Sequence, residues 1–306
     1  MKVPVRRLVV AAVVVLIAAA GAGWWYFSSG HTRIVELPET AQRAVVAAVP
    51  GFTMPHPKHI LVIVEENKSY DDIIGDTKDA PYLNGLAAQG ALFTQSFGIA
   101  HPSQPNYFAL YAGVTTRVGD ACNVTDIPAD APNLGADLLA AHHTFVAYAE
   151  SLPQPGFRGC SAGQYARKHA PWTHFTNVPD SAIQPFTAFP AHDPARLPDV
   201  AFVIPNELDD MHSASIARGD AWLKTNLGPL IARAAEDDLV VVITWDESSE
   251  ALSNHIPTIF TGARVKRGRF GETITHYDVL RTIEDLERIG HDGHAATALP
   301  IVDVWR

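Results

Sequence analysis

Three clusters of oxygen and imidazole ligands stand out in the chain: Glu65-Glu66-Asn67, Asp209-Asp210-Met211-His212 and Asp246-Glu247. Carboxylate and amide oxygens are the donors that suit Mg²⁺, Ca²⁺ or Mn²⁺, while the histidines leave Zn²⁺ or Fe open. A fourth place is Ser103, in His101-Pro102-Ser103-Gln104-Pro105-Asn106-Tyr107. A serine among prolines at a strand-to-helix junction can hold its hydroxyl at a helix N-terminus, where backbone N–H groups receive an anion. That makes Ser103 a candidate nucleophile, although an ordinary capping serine is the commoner use of such a residue. Lys168 and His169, just before Pro171-Trp172, could reach a phosphate or could be plain surface cations. His255, in Asn254-His255-Ile256-Pro257, adds another imidazole. A metal beside a serine lowers the hydroxyl pKa and neutralises charge on a transferring phosphoryl group. The chemistry these residues imply is phosphoester hydrolysis through a phosphoserine.

The elements that must position these groups are short apolar strands. Residues 60–64 are an apolar, largely β-branched run ending in Glu65, Glu66 and Asn67, which reads as a fully buried strand. Residues 200–204 repeat that pattern before Asp209, Asp210 and His212, and residues 239–245 repeat it before Asp246 and Glu247. Helical patterns alternate with them at 81–89, 134–141, 214–234 and 276–289, and further strands are expected at 91–97, 144–148 and 258–261. Alternating strands and helices predict an α/β fold with a doubly wound, mostly parallel sheet and helices on both faces. In such a sheet the strand carboxyl ends share one edge, so the three clusters would converge. Residues 151–198 are rich in Pro, Gly, His and aromatics without periodicity, and read as a cap over the site.

Composition narrows the function classes. The chain has 306 residues, 47% of them hydrophobic and 18% charged, enough for a large core and incompatible with wholesale disorder. A formal net charge of −10 excludes a general nucleic-acid binder, which needs a basic surface, but not a small phosphorylated substrate. Lys2, Arg6 and Arg7 precede an apolar run over 8–20 and then Trp24, Trp25 and Tyr26. Residues 1–30 therefore read as a signal peptide or an uncleaved N-terminal membrane anchor. Either places the body outside the cytoplasm, secreted or held on the outer face of the cytoplasmic membrane. Residues 31–57 read as a linker with one helical piece over 41–49, and 58–306 as the catalytic domain. Cys122 and Cys160 are the two cysteines. In an exported chain they read as one disulfide, stabilising by roughly 3–4 kcal/mol in the chain-entropy model.

The ordered strings Glu66-Asn67-Lys68-Ser69-Tyr70, Pro81-Tyr82-Leu83-Asn84, His101 to Tyr107, Tyr148-Ala149-Glu150, Asp210-Met211-His212 with Gly219-Asp220, Thr244-Trp245-Asp246-Glu247 and His276 resemble the phosphoesterase family of bacterial secreted acid phosphatases and non-specific phospholipases C, within the alkaline phosphatase-like superfamily. The resemblance covers about residues 58–290. It implies a divalent metal held by Glu66, Asn67, Ser103, Asp246 and Glu247, with Ser103 as nucleophile. It also implies a phosphate pocket drawn from Asn67, His101, Asn106, Lys168 and His169, with His212 and His255 in catalysis. A second metal at Asp210, His212 and His255 is an open alternative. Ser248-Ser249 stands where the family often has a glycine, and the body is shorter than in the phospholipases C. Both departures favour a compact phosphomonoesterase of the acid phosphatase type, with phosphoinositides among its possible substrates. The competing readings are a phosphodiesterase or phospholipase C and, in a different class, an inactive extracytoplasmic phosphate-binding protein.

Overall fold

A computed structural model of the chain describes residues 53–117, 119–249 and 252–306. The signal or anchor expected at 1–30 and the helical piece expected at 41–49 lie outside the described residues. No helix among the described residues is long and apolar enough to cross a membrane.

The chain runs β1 (His59–Glu65), α1 (Tyr70–Ile73), α2 (Pro81–Gln89), β2 (Ala91–Phe97), α3 (Ser103–Ala112), α4 (Leu134–Ala140) and β3 (Phe145–Ala149). A small hairpin of β4 (Ser161–Ala162) and β5 (Tyr165–Ala166) follows, then two single-turn 3₁₀ pieces, Arg167–His169 and Pro171–Thr173, and β6 (Ile183–Pro185). The last part is β7 (Val200–Ile204), α5 (Ile216–Asn226), α6 (Gly228–Ile231), β8 (Leu239–Trp245), β9 (Thr258–Gly262), β10 (Gly268–Thr275) and α7 (His276–Glu287).

Eight of these strands form one sheet in the order β10-β2-β9-β8-β1-β7-β3-β6. Only β9 runs against the rest: it pairs antiparallel with both β8 and β2, while the other pairings are parallel. Strand β1 is wholly buried because it lies mid-sheet with helices on both sides. Its Leu61 and Ile63 share one apolar cluster with Val241 and Ile243 of β8, Leu83 and Leu86 of α2, and Trp222 and Leu223 of α5. On the opposite face Phe202 of β7 meets Tyr111 of α3 and Trp172 at ring distances of 5.9 and 6.0 Å, and α3 packs on α7. Each such fully buried side chain stabilises by about 1.5–3 kcal/mol.

The expected doubly wound α/β sheet is the observed fold, with three local differences. The single helix expected over 214–234 is broken into α5 and α6, because Pro229 has no N–H to continue the ladder. Strand β10 lies at a sheet edge with Arg269, Gly271 and Thr273 exposed and glycines at 268 and 271, so it lacks the apolar signature of a central strand. The segment 151–198 is mostly irregular, but it also supplies β6, which pairs with β3 and extends the sheet.

At the C-terminal end of α7 is a group of buried acids. Glu284 Oε1 accepts from the Asp292 N–H at 2.9 Å, the Asp292 carboxyl is hydrogen-bonded to Asp137 of α4, and Glu287 faces His143 at 3.1 Å. Arg281 and His291 are taken up by Asp285. Burial first, and then the neighbouring Asp292, push Glu284 up to about 8. Burial and Asp137 push Asp292 up to about 7, and burial with Asp199 pushes Glu287 up to about 7. Groups whose folded pKa is raised contribute stability that is present below their ordinary values near 4 and is lost as pH rises through 7 to 8. Urea unfolding should therefore show a higher midpoint at pH 5 than at pH 8.5. Glu284→Gln should flatten that dependence without changing the denaturant slope; an unchanged pH profile would remove this cluster as its source.

Candidate active site

The parallel register brings three strand ends to one edge. Glu65 pairs with Trp245 at the end of β1 and β8, so the next residues, Glu66 and Asp246, stand side by side. The backbone ties them further: Asp246 N–H donates to the Glu65 carbonyl at 3.1 Å, and Glu66 N–H donates to the Asp210 carbonyl, in the loop after β7, at 2.8 Å. Asn67 turns the chain away with φ 56, and its N–H donates to Asp246 Oδ1 at 3.0 Å. Lys68 Nζ then bonds the carbonyls of Asn67 and Met211 at 2.9 and 2.8 Å, clamping the β1 and β7 loops together.

Ser103 is the first residue of α3 and is 2% exposed. Its Oγ lies 3.1 Å from Glu66 Oε2 and 3.0 Å from Glu247 Oε1. A hydroxyl carries one hydrogen, so the two carboxylates compete for it. Glu66 also accepts from the Tyr107 hydroxyl at 2.7 Å. Its Oε1 makes a 2.9 Å ion pair with His169 Nε2, off the direction of an aligned hydrogen bond. The other nitrogen of that ring is 3.5 Å from Asp210 Oδ2, and the ring stacks on Tyr107 at 5.2 Å. Burial alone would raise Glu66, but the His169 cation beside it and the hydrogen bond from Tyr107 hold it down to about 2. Burial alone would lower His169, and Glu66 with Asp210 raises it to about 10. The two form a charged pair across the neutral range.

Asp246 and Glu247 complete the edge. Burial, then the charges of Glu66 and Glu247, push Asp246 well above the usual carboxylate range. The buried His276 ring, lowered to about 4 by burial, is neutral and donates to the Asp246 carbonyl at 2.7 Å. Glu247 Oε2 stands 2.5 Å from His101 Nδ1, and burial raises Glu247. The residues expected to hold a divalent metal fit it in donor chemistry: Asp246 Oδ2 is buried with no hydrogen-bond donor among the described residues, and Ser103 offers one hydrogen to two acceptors. This is an excess of oxygen donors over protons. As the side chains stand, no three His, Cys, Asp or Glu among the described residues converge as a ready coordination group.

The other candidates divide. Lys168 lies close by, its Nζ 3.1 Å from Asp120 Oδ2. His212 is half-buried, its ring 6.1 Å from that of His169, and its backbone N–H donates to Asp210 Oδ1 at 2.8 Å. Asn106 is buried, and instead of facing a substrate it staples its own loop. Its Oδ1 accepts from Ile99 and Ala100 N–H, and its Nδ2 donates to the Ala100 and Pro102 carbonyls. His255 is drawn off the site: its ring stacks between Tyr70 and Phe97 at 4.5 and 5.1 Å, with Nε2 3.1 Å from the Thr94 carbonyl. That arrangement leaves the second-metal set of Asp210, His212 and His255 unassembled. Two contributors went unassigned from sequence, Tyr107 as a donor to Glu66 and Asp120. The serine-proline string contained Tyr107, whereas nothing marked Asp120. Glu65 faces away, fully buried, its pKa raised by burial and by Asp210 and Asp209. A groove of about 760 Å³ lined by Tyr82, Leu86, Lys224 and Arg306 lies at the opposite sheet edge, and none of the candidate residues lines it.

Tyr107→Phe should remove a buried hydrogen bond to a carboxylate while keeping the ring that stacks on His169. A hydrogen bond to a charged group is worth about 1.5–3 kcal/mol, so urea unfolding at pH 6 should show a loss of that size. A loss below about 0.5 kcal/mol would mean that Glu66 does not depend on this donor.

A family model described as "Phosphoesterase family" matches residues 76–290. The chain is 46% identical over 267 residues to a phosphatidylinositol-3-phosphatase of Mycobacterium tuberculosis, covering 85% of this chain and 88% of that protein. It is 31% identical to an acid phosphatase of Aspergillus fumigatus, across 78% of this chain and 57% of that longer protein. Among solved structures, a Vibrio parahaemolyticus protein in the alkaline phosphatase superfamily aligns with TM-score 0.59 at 12% identity, covering 79% of this chain and 68% of that one. The lipoteichoic acid synthase LtaP of Listeria monocytogenes aligns with TM-score 0.60 at 12% identity, covering 85% and 79%. These two likenesses concern the fold. With the family model spanning most of the body and a relative so similar over nearly its whole length, the chain belongs to the phosphoesterase family.

Proposed function

We propose that this chain is an exported, metal-dependent phosphatase that hydrolyses phosphate monoesters through a phosphoserine on Ser103. The observation that carries the reading is the placement of the Ser103 hydroxyl 3.0–3.1 Å from two buried carboxylates at the first turn of a helix. Glu66 or Glu247 takes the hydroxyl proton as Oγ forms a bond to phosphorus and the bond from phosphorus to the ester oxygen breaks. His212 gives a proton to the departing alcohol. Water then attacks the phosphoserine, releasing phosphate and restoring the hydroxyl. Lys168, His101 and the α3 N-terminus bind the phosphate oxygens. A divalent cation of Mg, Ca, Mn, Zn or Fe type, held by Glu66, Asn67, Ser103, Asp246 and Glu247, would supply the charge neutralisation that a phosphoryl group needs. Phosphoinositides are the substrate class favoured by the name of the mycobacterial relative. The leader at 1–30 would deliver the enzyme outside the cytoplasm, secreted or anchored.

Hydrolysis of an aryl phosphate should fall by roughly a thousandfold or more in Ser103→Ala, as for removal of other nucleophiles. Chelation should abolish turnover in the wild type, and added divalent ion should restore it. Wild-type turnover in Ser103→Ala would end the phosphoserine reading. Full turnover after exhaustive chelation would end the metal alone.

A further inference from the structure

Two surface loops joined by a disulfide meet beside the candidate nucleophile. Cys122 and Cys160 are bonded across a separation of 38 residues. On the Cys122 side, Asp120 Oδ1 accepts from the N–H of Gln104, the residue after Ser103, at 2.9 Å. The Gln104 side chain clasps Ala121 twice, donating to its carbonyl and accepting from its N–H, each at 2.9 Å. Gly119 lies so close to the nucleophile loop that a Cβ there would come within 3.3 Å of the Pro102 ring. On the Cys160 side, its carbonyl accepts from Arg167 N–H at 3.0 Å, closing the β4–β5 hairpin. Lys168 follows immediately, and its Nζ returns to Asp120 Oδ2 at 3.1 Å. The contacts form a closed circuit: Ser103-Gln104, Asp120, Cys122, Cys160, Arg167-Lys168, and back to Asp120.

The circuit is anchored in α3 through the buried Ser103 and Gln104, but its disulfide lies outside the core: Cys160 is exposed and Cys122 half-buried. Its members of consequence are polar and sit at the site: the Asp120 and Lys168 side chains are only 28% and 22% exposed. A lysine has long, soft torsions and is a poor fixed charge by itself. Here one Asp120 oxygen holds it at 3.1 Å, with Glu207 farther off at 4.0 Å, while the other Asp120 oxygen holds the helix amide next to Ser103.

We propose that Asp120 and the Cys122–Cys160 disulfide are positioning elements of the active site, fixing Lys168 as a cation beside Ser103 to receive the substrate's phosphate oxygens. This rests on reading Ser103 as the centre of phosphate-ester chemistry. The disulfide is reachable from solvent, so a dithiol can address it. Cys122 and Cys160 take up two electrons and two protons to become thiols, and the dithiol is oxidised to its own disulfide. Reduction then removes the covalent tie and leaves the loops joined only by softer contacts, Arg167 to Asn123 at 3.1 Å and Lys168 to Asp120 at 3.1 Å among them.

The intact chain should be compared oxidised, dithiol-treated and as Asp120→Asn, reading KM and kcat for an aryl phosphate and the calorimetric Kd of inorganic phosphate. Losing one charge-assisted hydrogen bond corresponds to roughly a tenfold change. Reduction and Asp120→Asn should each raise KM and the phosphate Kd by about that factor while kcat changes less than about threefold. Reduction of Asp120→Asn should add little, because both act on the same lysine. Circular dichroism and cooperative urea unfolding should persist in the reduced protein, and reoxidation should restore KM. Unchanged KM and phosphate Kd in Asp120→Asn, or kcat falling in step with an unfolded fraction on reduction while Asp120→Asn behaves as wild type, would overturn the proposal. The phosphate Kd reads the positioning role even if Ser103→Ala kept full turnover, so the two failures are distinct.

Discussion

Negative charge crowded into one dry edge of the sheet is the constraint on which the rest of the structure depends. Glu66, Asp210, Asp246 and Glu247 are all buried there, and carboxylates taken out of water at short range cannot all ionise without compensation. The protein answers with different devices, Asp210 taking the His212 backbone amide and standing 3.5 Å from the His169 ring. Glu66 has a buried imidazolium and a phenol, Asp246 a backbone amide, and Glu247 an imidazole at the rim. What remains is an excess of oxygen lone pairs around a single serine hydroxyl. A site short of positive charge in this way is prepared for whatever cation or electrophile arrives.

That crowding is possible because the sheet is parallel where it matters. Strands β7, β1 and β8 run side by side in one direction, so each delivers its polar terminus to the same place, and helices on both faces keep water from the strands themselves. This much was legible in the sequence. Residues 60–64, 200–204 and 239–245 are apolar runs of strand length, and each ends in an acid cluster. Strand β10 was illegible because an edge strand answers to solvent on one side, and its Gly268-Arg269-Phe270-Gly271 start carries no core signature. Pro229, which opens α6 after the break, sits inside an apolar period that continues on both sides of it.

The site was legible in proportion to how directly a strand end fixes a residue. Glu66, Ser103, Asp246 and Glu247 come together because two strand ends and one helix start dictate their positions. His255 follows Asp246 closely in sequence, yet a loop residue is placed by its own contacts, and two aromatic rings offered a better berth. Asn106 has the donors and acceptors of a ligand-binding amide, but four backbone groups nearby needed them first. His169 shows the reverse: nothing in an aperiodic proline-rich stretch says that it will be the buried cation facing Glu66. Asp120, an acid in a polar loop, acquires meaning only once Gln104 and Lys168 are in space beside it.

The lone reversed strand, β9, has an evolutionary consequence. Because β8 and β9 run antiparallel, the chain that links them needs no helix crossing the sheet, and it leaves β8 through Glu247, beside Ser103 of the candidate site. Crossover connections are fixed by packing on a face, whereas a hairpin bend can lengthen or shorten while the strands keep their register. The connection that begins at Glu247 is thus freer to vary in length between descendants of this fold than a crossover helix would be. A lineage could alter that length while leaving the chemistry at the strand ends untouched.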